Sequence, residues 1–324
     1  LGEPDSSWLI TGYMTASYGD GAGAPSSFEA AFNPVLLWRL DERLLAEAEL
    51  EFTTGEDGHA GSEEFNAELE YAQISWAASD AAVVGVGQFL SPFGTFNERF
   101  HPSWINRLPT NPLFAAHEGL VPVALLGAQL RGGVPAGAGL LKYAVFVANG
   151  PALNSGTDEA EEAGILHWDP EADENQNKTV GGRVAWMPSE GFEVGVSGMG
   201  ADVAAEDASA DSLGATLFGA DVTAIWSLDA AGTLRVDGEF VLSDVDDATY
   251  LVGTPDATSY DNERNGGWLQ VAYRLGAGSG RLAALEPVVR GDWVDQPEGA
   301  PEDEDVDRLT VGLAPRDPVE QARH

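Results

Sequence analysis

The sequence predicts an all-β protein, a transmembrane antiparallel β-barrel of about 14–16 strands. Three observations lead there. Apolar residues recur at every second position through much of the 324 residues, the period of a strand, while helical stripes at three and four are hard to find. No run approaches the roughly 20 consecutive apolar residues of a spanning helix, whereas a barrel strand crosses a bilayer with only about 9–11. The connections alternate between tight turns and long acidic segments, the rhythm of barrel hairpins.

The first segments, Trp8–Tyr18 and Phe28–Leu40, carry aromatic residues at or near their ends. Leu44–Phe52 shows the pattern most clearly, because Leu44, Ala46, Ala48, Leu50 and Phe52 fall on one face and Glu47, Glu49 and Glu51 on the other. Propensity alone would make this stretch helical, since Ala, Glu and Leu favour helices. Its neighbours decide otherwise. Phe65–Trp76, Ala82–Phe89, Val123–Gly132, Leu140–Asn149, Thr179–Met187, Phe192–Ala201 and Gly214–Leu228 continue the series. In Thr233–Leu242, Leu234, Val236, Gly238, Phe240 and Leu242 alternate with Thr233, Arg235, Asp237, Glu239 and Val241; in Trp268–Leu275, Leu269, Val271, Tyr273 and Leu275 alternate with Gln270 and Arg274. Leu285–Val294 and Val306–Ala314 complete it. Asp41–Arg43, Pro188–Gly191 and Asp229–Gly232 read as tight turns, and Gly150–Lys178, Asp202–Ser212, Asp244–Arg264 and Asp295–Asp305 as long loops.

A secreted or periplasmic β-sandwich binding a ligand or surface shares this periodicity. Two details separate it from a barrel. The apolar faces often hold Ala and Gly, which lipid tolerates and a packed core does not. Aromatic residues also sit near segment ends, as with Trp8, Tyr18, Trp186, Trp226 and Trp293, where an interfacial girdle would place them.

With 53 acidic against 16 basic residues, a formal charge of −37, the chain would be repelled by phosphate backbones, so nucleic acid is excluded as a partner. A surface adapted to high salt explains the acidity equally well. The absence of cysteine removes thiol nucleophiles, disulfides and thiolate metal sites. The chain opens at Leu1 with neither Met nor a basic-plus-apolar leader, as expected of a mature exported form.

Leu90–Pro122 is too long for a turn and dense in Pro, aromatic and basic residues. It follows Gly87-Gln88-Phe89, runs through Ser91-Pro92-Phe93-Gly94 and Asn97-Glu98-Arg99-Phe100-His101-Pro102-Ser103-Trp104, and ends Glu118-Gly119-Leu120-Val121-Pro122. This stretch, with Gly181–Trp186 followed by Pro188 and Gly191, resembles the phosphate-selective porin O and P family and its porin-like relatives. The resemblance implies a bacterial outer-membrane barrel of about sixteen strands, often a homotrimer in lipid, whose inward-folded loop narrows a pore for small ions or solutes. On that expectation residues 90–122 constrict the pore, with Glu98, Arg99, His101 and Arg107 at the narrowing. The chain departs from the family in holding only Lys142 and Lys178 as lysines, and in lacking a final strand that ends in an aromatic residue over Pro315–His324.

Taking the face opposite the apolar one as lumenal, the pore-lining residues are Glu47, Glu49, Glu51, Glu68, Glu70, Arg183, Arg235, Asp237, Glu239, Arg274, Arg290 and Asp292, joined by Glu193, Asp221, Glu286, Arg131 and Lys142. Acids outnumber bases, and carboxylate rows favour cations, so a weak cation preference is expected. The resemblance implies the opposite, anion uptake along Arg99, Arg107 and the strand arginines. Enzyme chemistry finds no foothold. His101 and His117 lie near Glu98 and Glu118 at no metal-ligand spacing; Asp169, Asp173, Asn175 and Asn177, or Asp303, Asp305 and Asp307, lack the Gly-centred calcium loop; and no Gly-x-Ser-x-Gly elbow is present. No cofactor is called for.

Overall fold

The computed structural model describes residues 6–21, 24–56, 63–100, 102, 105–115, 119–157, 160–169, 177–204, 212–229, 232–251, 257–276, 284–301 and 303–316. Its strands are β1 (Ser7–Gly21), β2 (Ala24–Arg39), β3 (Leu44–Glu56), β4 (Glu63–Ser79), β5 (Ala82–Leu90), β6 (Ala124–Ala136), β7 (Gly139–Asn149), β8 (Ala152–Leu153) and β9 (Leu166–His167). They continue as β10 (Lys178–Ser189), β11 (Phe192–Asp202), β12 (Gly214–Ser227), β13 (Thr233–Val245), β14 (Tyr250–Leu251), β15 (Ala257–Thr258), β16 (Asn262–Gly276), β17 (Ala284–Asp295) and β18 (Val306–Arg316). A short α-helix, α1, spans Phe96–Arg99.

Fourteen strands form a single sheet in the order β1-β2-β3-β4-β5-β6-β7-β10-β11-β12-β13-β16-β17-β18, and every pair is antiparallel. A β-sandwich needs two stacked sheets; the described residues make one meander, with the two-residue ladders β8-β9 and β14-β15 outside it. Among the described residues no ladder joins β1 to β18. Because the strand count is even and directions alternate, these two edges run antiparallel to each other.

Each of the fourteen segments expected from the period-two pattern matches one of these strands, and only Leu40, Val123 and Leu228 fall a residue outside. The largest boundary difference is at β16, which begins at Asn262 rather than Trp268. Asn262–Gly267 reads Asn-Glu-Arg-Asn-Gly-Gly and shows no apolar alternation, since it packs against loops instead of presenting an apolar face.

The two faces of the sheet differ sharply. On one, apolar side chains point away from the protein: Trp8, Ile10, Met14 and Tyr18 of β1 stand opposite Trp38, Leu36, Phe32 and Phe28 of β2 in strict register. Trp8, Trp38, Trp76, Trp186 and Trp226 all lie at the tight-turn end and are 47–74% exposed. Water does not tolerate so extended an apolar surface, whereas a bilayer interface recruits tryptophan. At the other end Tyr18 packs on Phe28 with ring centroids 4.8 Å apart, and Phe52 stacks between Phe32 and Phe65. The ten steps from Trp8 to Tyr18 cover about 33 Å, which a tilt of about 40° reduces to about 25 Å, the height of a barrel's apolar band.

Candidate functional site

The described residues of 91–123 leave β5 and fold onto the opposite, polar face of the sheet. Ser91-Pro92-Phe93-Gly94 makes the entry turn. Gly94 has φ +68°, and a Cβ there would run into the Glu239 carboxylate, so glycine is required on both counts. Phe93 seats against Gly219, where an added Cβ would lie 2.8 Å from the ring.

Three groups of contacts fix the segment. Glu239 Oε2 accepts the backbone N–H groups of Thr95 at 3.0 Å and Phe96 at 3.2 Å, as well as the Thr95 hydroxyl at 3.3 Å, and Ser197 Oγ accepts the Gly94 N–H at 2.9 Å. Phe96 and Phe100 meet the edge of Trp268, with centroids 5.8 and 6.0 Å away, and the Arg235 guanidinium lies 5.1 Å over Phe100. Further along, Arg107 Nε donates to Glu286 at 2.6 Å, Arg290 donates to the Thr110 carbonyl at 2.8 Å and the Asn111 carbonyl at 3.0 Å, and the Leu113 N–H reaches Asp292 at 3.1 Å. The partners lie on β11, β12, β13, β16 and β17, with Arg131 of β6 paired to Glu98 and Arg308 of β18 to the Asn111 carbonyl.

Where the segment docks, charges are paired with one another. Glu193 accepts from Arg99 at 2.7 Å and from Lys142 and Arg183 at 2.8 Å each. Arg183 also grips Asp221 at 2.6 and 2.8 Å, a bidentate fork. Asp237 takes Arg235 at 2.7 and 3.0 Å, Glu286 takes Arg274 at 3.1 Å, and Asp292 takes Arg290 at 3.2 Å and Arg308 at 2.5 Å. Arg183, Asp237, Glu239, Arg290 and Asp292 are buried, Glu239, Arg290 and Asp292 in direct contact with the segment, while Arg235 and Arg274 are partly covered.

The acidic strands lie elsewhere. Glu47 accepts from Gln73 at 2.8 Å, Glu49 from Tyr13 at 2.8 Å and Glu51 from Asn33 at 3.0 Å, all three uncharged donors. Glu49 is buried, Glu51 and Glu47 are half-buried, and Glu68 is exposed opposite Glu51. Glu70 is the extra residue of a β-bulge opposite Glu49 and Leu50. None of the loop contacts above reaches β1–β4.

Among the loop residues singled out from sequence, Glu98, Arg99 and Arg107 all bridge to the sheet; His101 lies outside the described residues, as do His117, Glu118, Asp173 and Asn175. Sequence reasoning missed Thr95, Ser197 and Gly219. A trace of them was present, because Gly195, Ser197 and Gly219 are small residues on a polar strand face, which is what a docked segment needs. Among the described residues no group of three or more acidic or histidine side chains is arranged to hold a metal ion.

No protein-family model matches the chain, and no curated protein sequence matches it. Solved structures do. OmpF of Salmonella typhi, in a complex with daunomycin, aligns over 96% of this chain and 85% of its own at 11% identity and a TM-score of 0.51. The anion-selective porin from Comamonas acidovorans aligns over 95% and 84% at 13% identity and a TM-score of 0.52. The fold is that of the porin β-barrels.

Proposed function

We propose that the chain is a bacterial outer-membrane porin through which small hydrophilic solutes and ions diffuse, with a modest preference for cations. The sheet's polar face is then the lumenal wall, residues 91–123 are the constriction, and the exposed apolar band faces lipid. One observation carries the ion preference: Arg183, Arg235, Arg274, Arg290 and Arg308 are held in ion pairs with strand carboxylates, whereas Glu47, Glu49 and Glu51 stand on the side that the loop contacts do not reach. What matters is which charges face water at the narrowing, and carboxylates there favour cations. A homotrimer in the membrane follows the porin reading.

Arg99, Arg131 and Lys142 support a second reading, anion preference, in line with the resemblance to the phosphate-selective porins. Their side chains keep 31–41% exposure around a cavity of about 310 Å³ at the loop's near edge. Single-channel recording in a planar bilayer tests conduction, and the reversal potential under a salt gradient tests its sign. A protein that stays monodisperse without detergent and never conducts would end the porin reading; a clear anion potential would transfer control to the Arg99 edge.

A further inference from the structure

The near edge of the docked segment holds a cavity whose walls are laid out by strand register. Arg131 of β6, Ala144 of β7 and Arg183 of β10 are successive partners across the sheet, and Gly133, Lys142 and Ala185 form the next such row, so long cationic side chains alternate with small ones on one face. The small positions leave room. The segment closes over them with Pro92 and with Glu98 and Arg99 of α1, and the hollow that results measures about 310 Å³. Val83 of β5, Pro92 and Leu140 of β7 give it an apolar wall, and Arg99, Arg131 and Lys142 a polar one.

The charges of this hollow do not balance. Arg99, Lys142 and Arg183 all donate to Glu193, Arg183 donates to Asp221 as well, and Arg131 pairs with Glu98, so four cations meet three carboxylates and one positive charge is in excess. In these pairs Arg99 and Arg131 each engage Nη2, and Lys142 a single N–H. Their side chains are 31–41% exposed, so each of the three keeps further donors for an oxygen brought into the hollow. A bare inorganic anion would leave Val83, Pro92 and Leu140 in water, and a neutral apolar guest would leave the excess charge unanswered.

We infer that the hollow binds an amphiphilic organosulfonate, with its equivalent oxygens shared among Arg99, Arg131 and Lys142 and its apolar body against Val83, Pro92 and Leu140. A sulfonate brings three oxygens to three donor groups and a single charge to a single excess. A carboxylate brings one oxygen fewer, and a phosphomonoester dianion one charge more. This names a solute class for the Arg99 edge and rests on the porin reading only for entry from the lumen.

The probe is 4-fluorobenzenesulfonate, titrated into detergent-solubilised full-length protein and followed by fluorine NMR and calorimetry. Saturable binding of one molecule per chain is expected. Gly133→Leu should abolish it, because a Cβ at Gly133 comes no nearer than 3.4 Å to the Leu140 side chain, an ordinary contact, and the rest of the new side chain then occupies the hollow. Lys142→Met should weaken binding about tenfold, the loss of a charged hydrogen bond. 4-Fluorobenzoate should bind about tenfold more weakly for the same reason, and sulfate, without the apolar body, at least about tenfold more weakly. Absence of saturable binding, undiminished affinity in Gly133→Leu or Lys142→Met, or sulfate or 4-fluorobenzoate as tight as the probe overturns the inference. If Gly133→Leu fails to fold, Lys142→Met decides. Binding needs no conduction: a conducting protein that does not bind refutes the site and leaves the pore, whereas one that binds and never conducts keeps the site and ends the porin reading.

Discussion

Glu239 Oε2 holds the backbone N–H of Thr95 at 3.0 Å, so a carboxylate midway along β13 fastens the residue ahead of α1 across 144 positions of sequence. The same oxygen takes the Thr95 hydroxyl and the Phe96 N–H. Glu239→Gln keeps an acceptor in place and should change little. Glu239→Ala leaves buried donors without a partner, at about 1–3 kcal/mol for each group. The expected outcome is a loosened segment, read as noisier and larger single-channel conductance and as new protease cleavage between Thr95 and Asn111.

Removal of Thr95–Asn111 deletes the Glu239, Glu286 and Arg290 contacts together. If this segment narrows the passage, conductance rises in a protein that still shows heat-shifted gel migration. Unchanged conductance in a folded deletion would remove the constriction role.

Arg183 sits between Asp221 and Glu193 with 6% of its side chain exposed. Arg183→Met keeps the volume but leaves two carboxylates facing each other with less compensation. Breaking a buried pair on one side costs about 3–5 kcal/mol, so the midpoint of heat-induced unfolding on gels should fall clearly. A variant as stable as the parent would mean that Lys142 and Arg99 suffice for Glu193.

Replacing Glu47, Glu49 and Glu51 together by Gln should lower the cation preference without unfolding the barrel, because each amide oxygen can still accept from Gln73, Tyr13 or Asn33. The reversal potential is the readout. No change would place the selecting charges elsewhere.

Leu269 is 51% exposed on the apolar face, two residues before Val271 and four before Tyr273. In a bilayer Leu269→Arg should cost about 2–4 kcal/mol if the position is near the midplane, and folding into lipid vesicles should fall accordingly. Unimpaired insertion would argue against lipid on that face.

The strands were legible because one-sided burial writes a period of two into the sequence, and it did so even in Leu44–Phe52, where propensity favours helix. The register of the faces was legible for the same reason. Burial on the polar face was not. Arg290 and Glu47 look alike in sequence, yet Arg290 is fully buried against Thr110 and Glu47 meets Gln73 in a half-buried position. The difference arises from residues 91–123, whose composition marked it as a packed segment but whose partners on β11–β18 lie between 94 and 197 positions away in sequence. The ladders β8-β9 and β14-β15, at two residues each, are too short to leave a period.

Because residues 91–123 cling to β11–β18 rather than hang across the middle, the passage in the porin reading is eccentric. A permeating solute would slide between a wall of carboxylates on β3 and β4 and the near edge of the docked segment. Strand number then has little to do with the size of what passes. A bulkier side chain at Gly219, pushing Phe93 outward, would alter the sieve more than adding a hairpin to the barrel.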